Sequence, residues 1–136
     1  MTRASRTATC GVAEARARLQ VAQAYLSVAQ LVLQERRDEY FTVSAGLSVL
    51  AGIAASDSIC CIRLRSRHRG DDHRGAADLL GRATPDGKSL ATALLRLIDL
   101  KDQAHYGVMI VSARSARDAV RWAARLVERA TEELAR

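Results

Sequence analysis

Apolar residues recur at alternating steps of three and four along much of this 136-residue chain, and this spacing constrains the fold most. Such steps place side chains on one face of an α-helix, whereas a half-buried β-strand needs strict alternation. The clearest seam consists of Val12, Ala15, Leu19, Ala22, Leu26, Ala29 and Leu33. A second apolar face lies beside it, at Val21, Tyr25, Val28 and Val32. A helix apolar over so wide an arc is expected to contact more than one neighbour, or a second subunit.

Few helix-breaking residues interrupt this pattern, so the chain divides into long helical blocks. The single proline falls in a predicted turn at residues 84–87. No run keeps β-strand alternation. We predict helices at about residues 12–40, 44–67, 71–82, 88–110 and 115–135, with a first turn near residues 41–43. Ser115 and Asp118 would form a capping box for the last helix. The expected fold is an all-α, antiparallel helical bundle of about five helices.

The length of the chain predicts one domain with a single core. We expect a flexible N-terminal tail at residues 1–11 and a single helical domain at residues 12–136. Aromatic residues are only 4% of the chain, so the core must be built from Ala, Leu, Val and Ile. The sequence contains no run of eighteen apolar residues and no apolar run after Arg3 and Arg6. We therefore expect neither a membrane span nor a signal peptide.

The three cysteines are Cys10, Cys60 and Cys61. An adjacent pair is poorly placed to bridge to itself, and no CxxC spacing indicates a metal or redox pair. We expect two small buried side chains beside one exposed thiol, in a reducing, cytoplasmic setting. The histidines also lack zinc-ligand spacing, so we predict no metal and no cofactor.

Asp57 falls inside the apolar stripe of the predicted second helix. A buried carboxylate is costly unless it is paired or hydrogen-bonded, so Asp57 needs a partner. The candidates are His73, Lys101 and Tyr106, which with Asp57 would form a buried polar cluster. Such a cluster either fixes the register of the helices, or holds a nucleotide and tunes the histidine pKa.

The formal net charge of +6 favours acidic partners such as nucleic acid. The candidate contacts are Arg63, Arg65, Arg67, Arg69 and Arg74 around the middle of the chain, and Arg121 and Arg125 on the last helix. The central run holds no aromatic residue for base stacking, so we expect salt-sensitive, sequence-blind phosphate contacts. The alternative is a solvated surface whose arginines pair with nearby acids.

Four segments carry a family resemblance: AGIAASDSICC, RGDDHRGAADLL, LIDLKDQAHYG and SARSARDAVRWAARLVERA. Between about Ala51 and Ala130, the chain resembles the HEPN domains, particularly the small stand-alone ones of actinobacteria. The resemblance implies a bundle of four core helices that is often a homodimer.

In the HEPN ribonucleases, the resemblance also implies a motif of an arginine, four to six residues and a histidine. Two such motifs face each other across a dimer and cut RNA without metal. Arg67 and His73 match this spacing and would be the catalytic pair. Histidine titrates near neutral pH and arginine is a permanent cation, which suits a base and a phosphate-binding group.

The leading hypothesis is a small cytoplasmic homodimer that interacts with nucleic acid, most simply RNA, in defence or in a toxin–antitoxin pair with a cognate protein. One alternative is a metal-independent endoribonuclease that uses Arg67 and His73. The other is a helical protein-interaction module with no nucleic-acid role.

Overall fold

The structure is a computed structural model that describes residues 6–70 and 72–136. Within these residues the chain forms five helices and one two-stranded sheet. In chain order they are β1 (Thr7–Thr9), α1 (Val12–Leu33), α2 (Asp38–Leu64), β2 (Ser66–His68), α3 (His73–Ala83), α4 (Gly87–Tyr106) and α5 (Ala113–Ala135). The predicted all-α bundle is confirmed.

Helix α2 is the centre of the bundle and packs against the other four helices. Its residues from Ser44 to Cys61 are mostly small and mostly buried, which lets its neighbours approach closely. At Gly52 a Cβ atom would lie 2.4 Å from a methyl group of Leu97, so only glycine fits without a shift. By length and composition α2 is apolar enough to cross a membrane, but 78% of its most apolar window is buried in the bundle. Its apolar residues are therefore used mainly in contacts with the other helices.

The first seam predicted for α1, which we call the inner seam, is confirmed for six of its seven residues: Ala15, Leu19, Ala22 and Ala29 are buried, and Leu26 and Leu33 pack partly buried beside them. Its first residue, Val12, is 52% exposed. The predicted boundary between the first two helices was wrong. Helix α1 ends at Leu33, Arg36 takes a positive φ of 54°, and α2 begins at Asp38. Asp38 and Glu39 occupy the first turn of α2, where negative charge complements the helix dipole.

Three other helix ends differ from the prediction for local reasons. Helix α2 stops at Leu64 because Arg65 adopts the left-handed conformation and the chain then enters β2. Helix α4 stops at Tyr106, and the apolar residues after it form a loop. The N-cap of α5 is Ser112, whose hydroxyl accepts a hydrogen bond from the Ser115 amide. The capping box predicted at Ser115 is therefore replaced by a cap one turn earlier.

The part of the predicted loose tail that the structure describes, residues 6–11, is held in place by the rest of the chain. Residues 1–5 lie outside the described residues, but Thr7–Thr9 pairs antiparallel with β2. Cys10 is buried and joined by a disulfide to Cys61. The prediction of an exposed Cys10 thiol was thus wrong, because the strand pairing carries this residue onto the end of α2. Disulfides persist mainly in oxidising compartments, so the cysteines no longer support a reducing setting.

Candidate nucleic-acid interface

Four arginines lie on or beside the small sheet: Arg6, Arg65, Arg67 and Arg69. We call this set the arginine hairpin, although its two strands are not joined by a turn but are separated in the chain by α1 and α2. Arg65 and Arg69 flank β2, Arg67 lies within it, and Arg6 precedes β1. Arg6, Arg65 and Arg69 are exposed, and Arg67 is half-buried. Within residues 6–70 and 72–136, none of the four lies at salt-bridge distance from a carboxylate. Among the described residues the hairpin is therefore a cluster of positive charge without an ion pair at contact distance.

Backbone bonds and a disulfide fix the shape of this surface. Ala8 pairs with Arg67, while flanking amides of Cys10 and Arg69 donate to the carbonyls of Arg65 and Arg6 at 3.1 and 2.7 Å. The Cys10–Cys61 disulfide then ties the ribbon to the last turns of α2. Two strands alone are marginally stable in water, so this anchoring is what holds the arginines in place.

Asp57 lies under the hairpin side of the bundle and is only 7% exposed. Its partner is Arg18 of α1, whose Nε and Nη2 lie 3.1 and 3.0 Å from one carboxylate oxygen. Burial raises the pKa of the Asp57 carboxyl, and the positive charges of Arg18, Arg67 and His68 oppose that rise. The buried acid thus couples α1, α2 and the hairpin electrostatically.

The buried polar cluster predicted around Asp57 does not form as proposed. Tyr106 is 75% exposed at the far end of α4. His73, half-buried at the start of α3, and Lys101 line a cavity of about 280 Å³ between α3 and α4, beside Asp99. The sequence does carry a signal for the true partner, because Arg18 is three residues after buried Ala15 and directly before buried Leu19. A charge at the edge of a buried seam can reach a carboxylate on the facing helix.

His68 lies in the central basic run, and the structure gives its side chain a packing role that the sequence did not predict. Its imidazole packs against Gly75 of α3, where a Cβ atom would lie 2.5 Å from the ring. Its Nε2 atom is buried and has no hydrogen-bond partner within the part of the chain that the structure describes. His68 therefore docks β2 onto α3 and directs Arg67, its neighbour in the strand, away from that contact.

Four of the predicted nucleic-acid contacts have other partners. Arg63 binds buried Glu133 at 3.2 Å and donates to the carbonyl of Ala83. The remaining pairs are Arg74 with Asp99, Arg121 with Asp118, and Arg125 with the hydroxyl of Ser89. Arg65, Arg67 and Arg69 are the predicted contacts that the structure brings together, and Arg6 joins them from the N-terminal strand.

Cys60, the cysteine outside the disulfide, is buried. Burial raises the pKa of the Cys60 thiol to about 12, so this thiol is protonated and unreactive at neutral pH. Among residues 6–70 and 72–136, no three His, Cys, Asp or Glu side chains are grouped as a metal site. Asp71, predicted to start the third helix, lies outside the described residues.

No protein-family model matches the chain, and no curated protein matches it with significant similarity. The resemblance to HEPN domains therefore stays a prediction.

Proposed function

We propose that this protein binds nucleic acid, most simply single-stranded RNA, through the arginine hairpin. The observation that carries the proposal is the convergence of four arginines, without salt-bridge partners in the described chain, on one anchored ribbon. Arginine is always charged and its planar guanidinium matches the geometry of phosphate, so such a ribbon suits a polyanion.

The hairpin carries no aromatic side chain, and this limits how it reads its ligand. Without stacking platforms, binding rests on phosphate contacts and on the release of counterions. We therefore expect weak sequence preference and strong salt dependence. For single strands, the logarithm of the binding constant falls by roughly 0.7 per phosphate contact for each decade of salt.

The test is fluorescence anisotropy of a labelled RNA at several salt concentrations. The hairpin variant Arg65→Gln/Arg69→Gln is expected to lose affinity and to reduce the salt slope by roughly 1.4, for two lost contacts. The control, Arg121→Gln/Arg125→Gln, removes the same charge from α5. Equal losses in both variants would show that net charge alone drives binding and would reject the hairpin as the site.

A second candidate is a metal-independent endoribonuclease that uses Arg67 and His73. It is supported by the spacing of the two residues in the sequence and by the contact between β2 and the helix that begins at His73; the face of β2 that meets α3 carries His68, and Arg67 lies on the other face. End-labelled RNA is incubated with the protein and EDTA. Cleavage is expected to disappear in His73→Ala and Arg67→Gln and to persist in His105→Ala, because the His105 ring packs against Gly46 of α2. Wild-type cleavage by His73→Ala would reject this mechanism.

The biological setting belongs to the same proposal. A role in defence or in a toxin–antitoxin pair with a cognate protein is supported by the HEPN resemblance alone. A cytoplasmic location suits an RNA ligand, but it has to accommodate the Cys10–Cys61 disulfide, because disulfides are rare in that compartment. If no nucleic acid is retained at low salt, the alternative of a protein-interaction module replaces the proposal.

A further inference from the structure

A cavity lies at the end of the bundle where α1 ends and α2 begins. Its volume is about 490 Å³, within the range of roughly 300–1,000 Å³ that is common for small-molecule sites. The residues that line it are Leu33, Gln34, Arg36, Phe41 and Arg117. Phe41 lies about 35 Å along α2 from Leu64, after which the chain enters the arginine hairpin. The cavity is therefore separate from the proposed nucleic-acid site.

The apolar part of this lining is Leu33, the last residue of α1, and Phe41, in the first turn of α2. Both side chains are partly buried and pack against the main core. The segment before α5 is tied to the same place, because the amide of Val111 donates a hydrogen bond to the hydroxyl of Thr42 at 2.9 Å. The apolar surface is therefore fixed by the fold and can cover the apolar body of a ligand.

The charged part of the lining is Arg36 and Arg117, which face the cavity without a carboxylate. Within residues 6–70 and 72–136, neither of them lies at salt-bridge distance from an acid, and no acid lines the cavity. The cavity between α3 and α4 differs, because there Arg74 pairs with Asp99 of the same lining. The lining at the end of α1 thus combines two cations with an apolar surface and leaves the anion to be supplied by a ligand.

The backbone of Arg36 is a second, independent sign that its side chain is used. Its φ of 54° is a left-handed conformation that glycine adopts at the least cost. Among the residues that the structure describes, only Arg36 and Arg65 of the arginine hairpin combine a positive φ with a side chain. Backbone strain of this kind is concentrated at ligand-binding sites. The turn alone would favour glycine, so an arginine at this position indicates a function for the guanidinium group.

We propose that this cavity binds a small aromatic carboxylate. The guanidinium groups of Arg36 and Arg117 hold the carboxylate, whose planar geometry they match. Phe41 and Leu33 cover the aromatic body, since aromatic rings pack well against one another. A singly charged head suits this lining better than a doubly charged phosphate, because the apolar surface makes the removal of water from each charge costly.

The class of ligand is tested by isothermal titration calorimetry with 2-naphthoate as the probe. We expect it to bind about tenfold more tightly, or better, than 2-naphthalenemethanol, which has the same body without the charge. Acetate, which has the charge without the body, and 2-naphthyl phosphate, which carries a double charge, are also expected to bind more weakly. The proposal is overturned if 2-naphthoate does not bind in the millimolar range, if the alcohol binds equally well, or if the phosphate binds more tightly.

Variants of the same protein locate the site. Arg36→Gln/Arg117→Gln is expected to weaken 2-naphthoate binding about tenfold or more. The matched control, Arg65→Gln/Arg69→Gln, removes the same charge at the other end of α2 and should bind 2-naphthoate as wild type does. Arg36→Gly separates binding from folding, because glycine accepts the positive φ: its urea midpoint should not fall, while 2-naphthoate binding weakens. Equal losses in the two double variants, or undiminished binding by Arg36→Gly, would refute the assignment.

Discussion

The ion pair between Arg18 and Asp57 gives the sharpest stability prediction. Replacing Arg18 by methionine keeps the aliphatic packing but leaves the Asp57 carboxylate buried without its hydrogen-bonded cation. Breaking a buried pair typically costs about 3–5 kcal/mol. Because the Arg18 side chain is 36% exposed, and Arg67 still offsets part of the charge, we expect Arg18→Met to lose about 2 kcal/mol near neutral pH.

The penalty should depend on pH with a definite sign. Burial raises the pKa of Asp57 above its ordinary value of 3.8, so the folded state holds a proton over a range in which the unfolded state has lost it. Stability from this group is therefore full below 3.8 and decreases as the pH rises through the folded pKa. Without Arg18 the folded pKa rises further. The penalty of Arg18→Met should be large at about pH 7 and should shrink as the pH falls towards about 4, because Asp57 takes up its proton in that direction.

The assay is urea denaturation of wild type and variants at both pH values. Arg16→Met is the control, because Arg16 is exposed and such surface changes usually stay within about 0.5 kcal/mol. Adding Asp57→Asn to Arg18→Met should recover much of the loss, since a neutral amide needs no counter-charge. A penalty for Arg18→Met of the same size at both pH values would refute the argument that it comes from a buried carboxylate.

Three further predictions concern the bundle and its anchors. Gly87→Ala should destabilise the protein by about 1–3 kcal/mol in urea denaturation, because the new Cβ would lie 2.3 Å from the Gly81 carbonyl oxygen. The control, Gly81→Ala, adds only an ordinary van der Waals contact and should be neutral or stabilising. Cys10→Ser should lower the free energy of unfolding by about 2–5 kcal/mol, because it removes the disulfide to Cys61. It should also weaken RNA binding in the anisotropy assay, because the arginine hairpin is no longer anchored. Undiminished binding would contradict a preformed site. Hydrogen bonds from Arg129 lower the pKa of Asp86 to about 2, so this carboxylate stabilises the fold above 3.8 and loses that effect as the pH falls towards 2. Asp86→Asn should flatten the acid side of the stability profile, and an unchanged profile would contradict this.

Much of the fold was readable from local patterns. The inner seam of α1 and the apolar stripe of α2 predicted buried helix faces, and the proline turn between α3 and α4 lies where the sequence indicated. These features depend on side-chain spacing along a single helix, which does not change with the surroundings. The break between α1 and α2 was harder, because residues 34–37 include no glycine or proline. Arg36 accepts a positive φ there since the packing of α1 on α2 requires a reversal.

In the candidate site, too, some features follow from the local sequence and others only from the packing of distant segments. The sequence by itself determined that the chain is helical, basic and rich in arginine near residues 63–69, and that Asp57 would be buried. Tertiary structure decided which arginines stay without a salt bridge and which acid each of the others meets. It also joined residues 6–10 to residues 61–69, where the strand pair and the disulfide form. Contacts between segments some fifty residues apart depend on how helices pack, and such packing leaves no periodic signal in either segment.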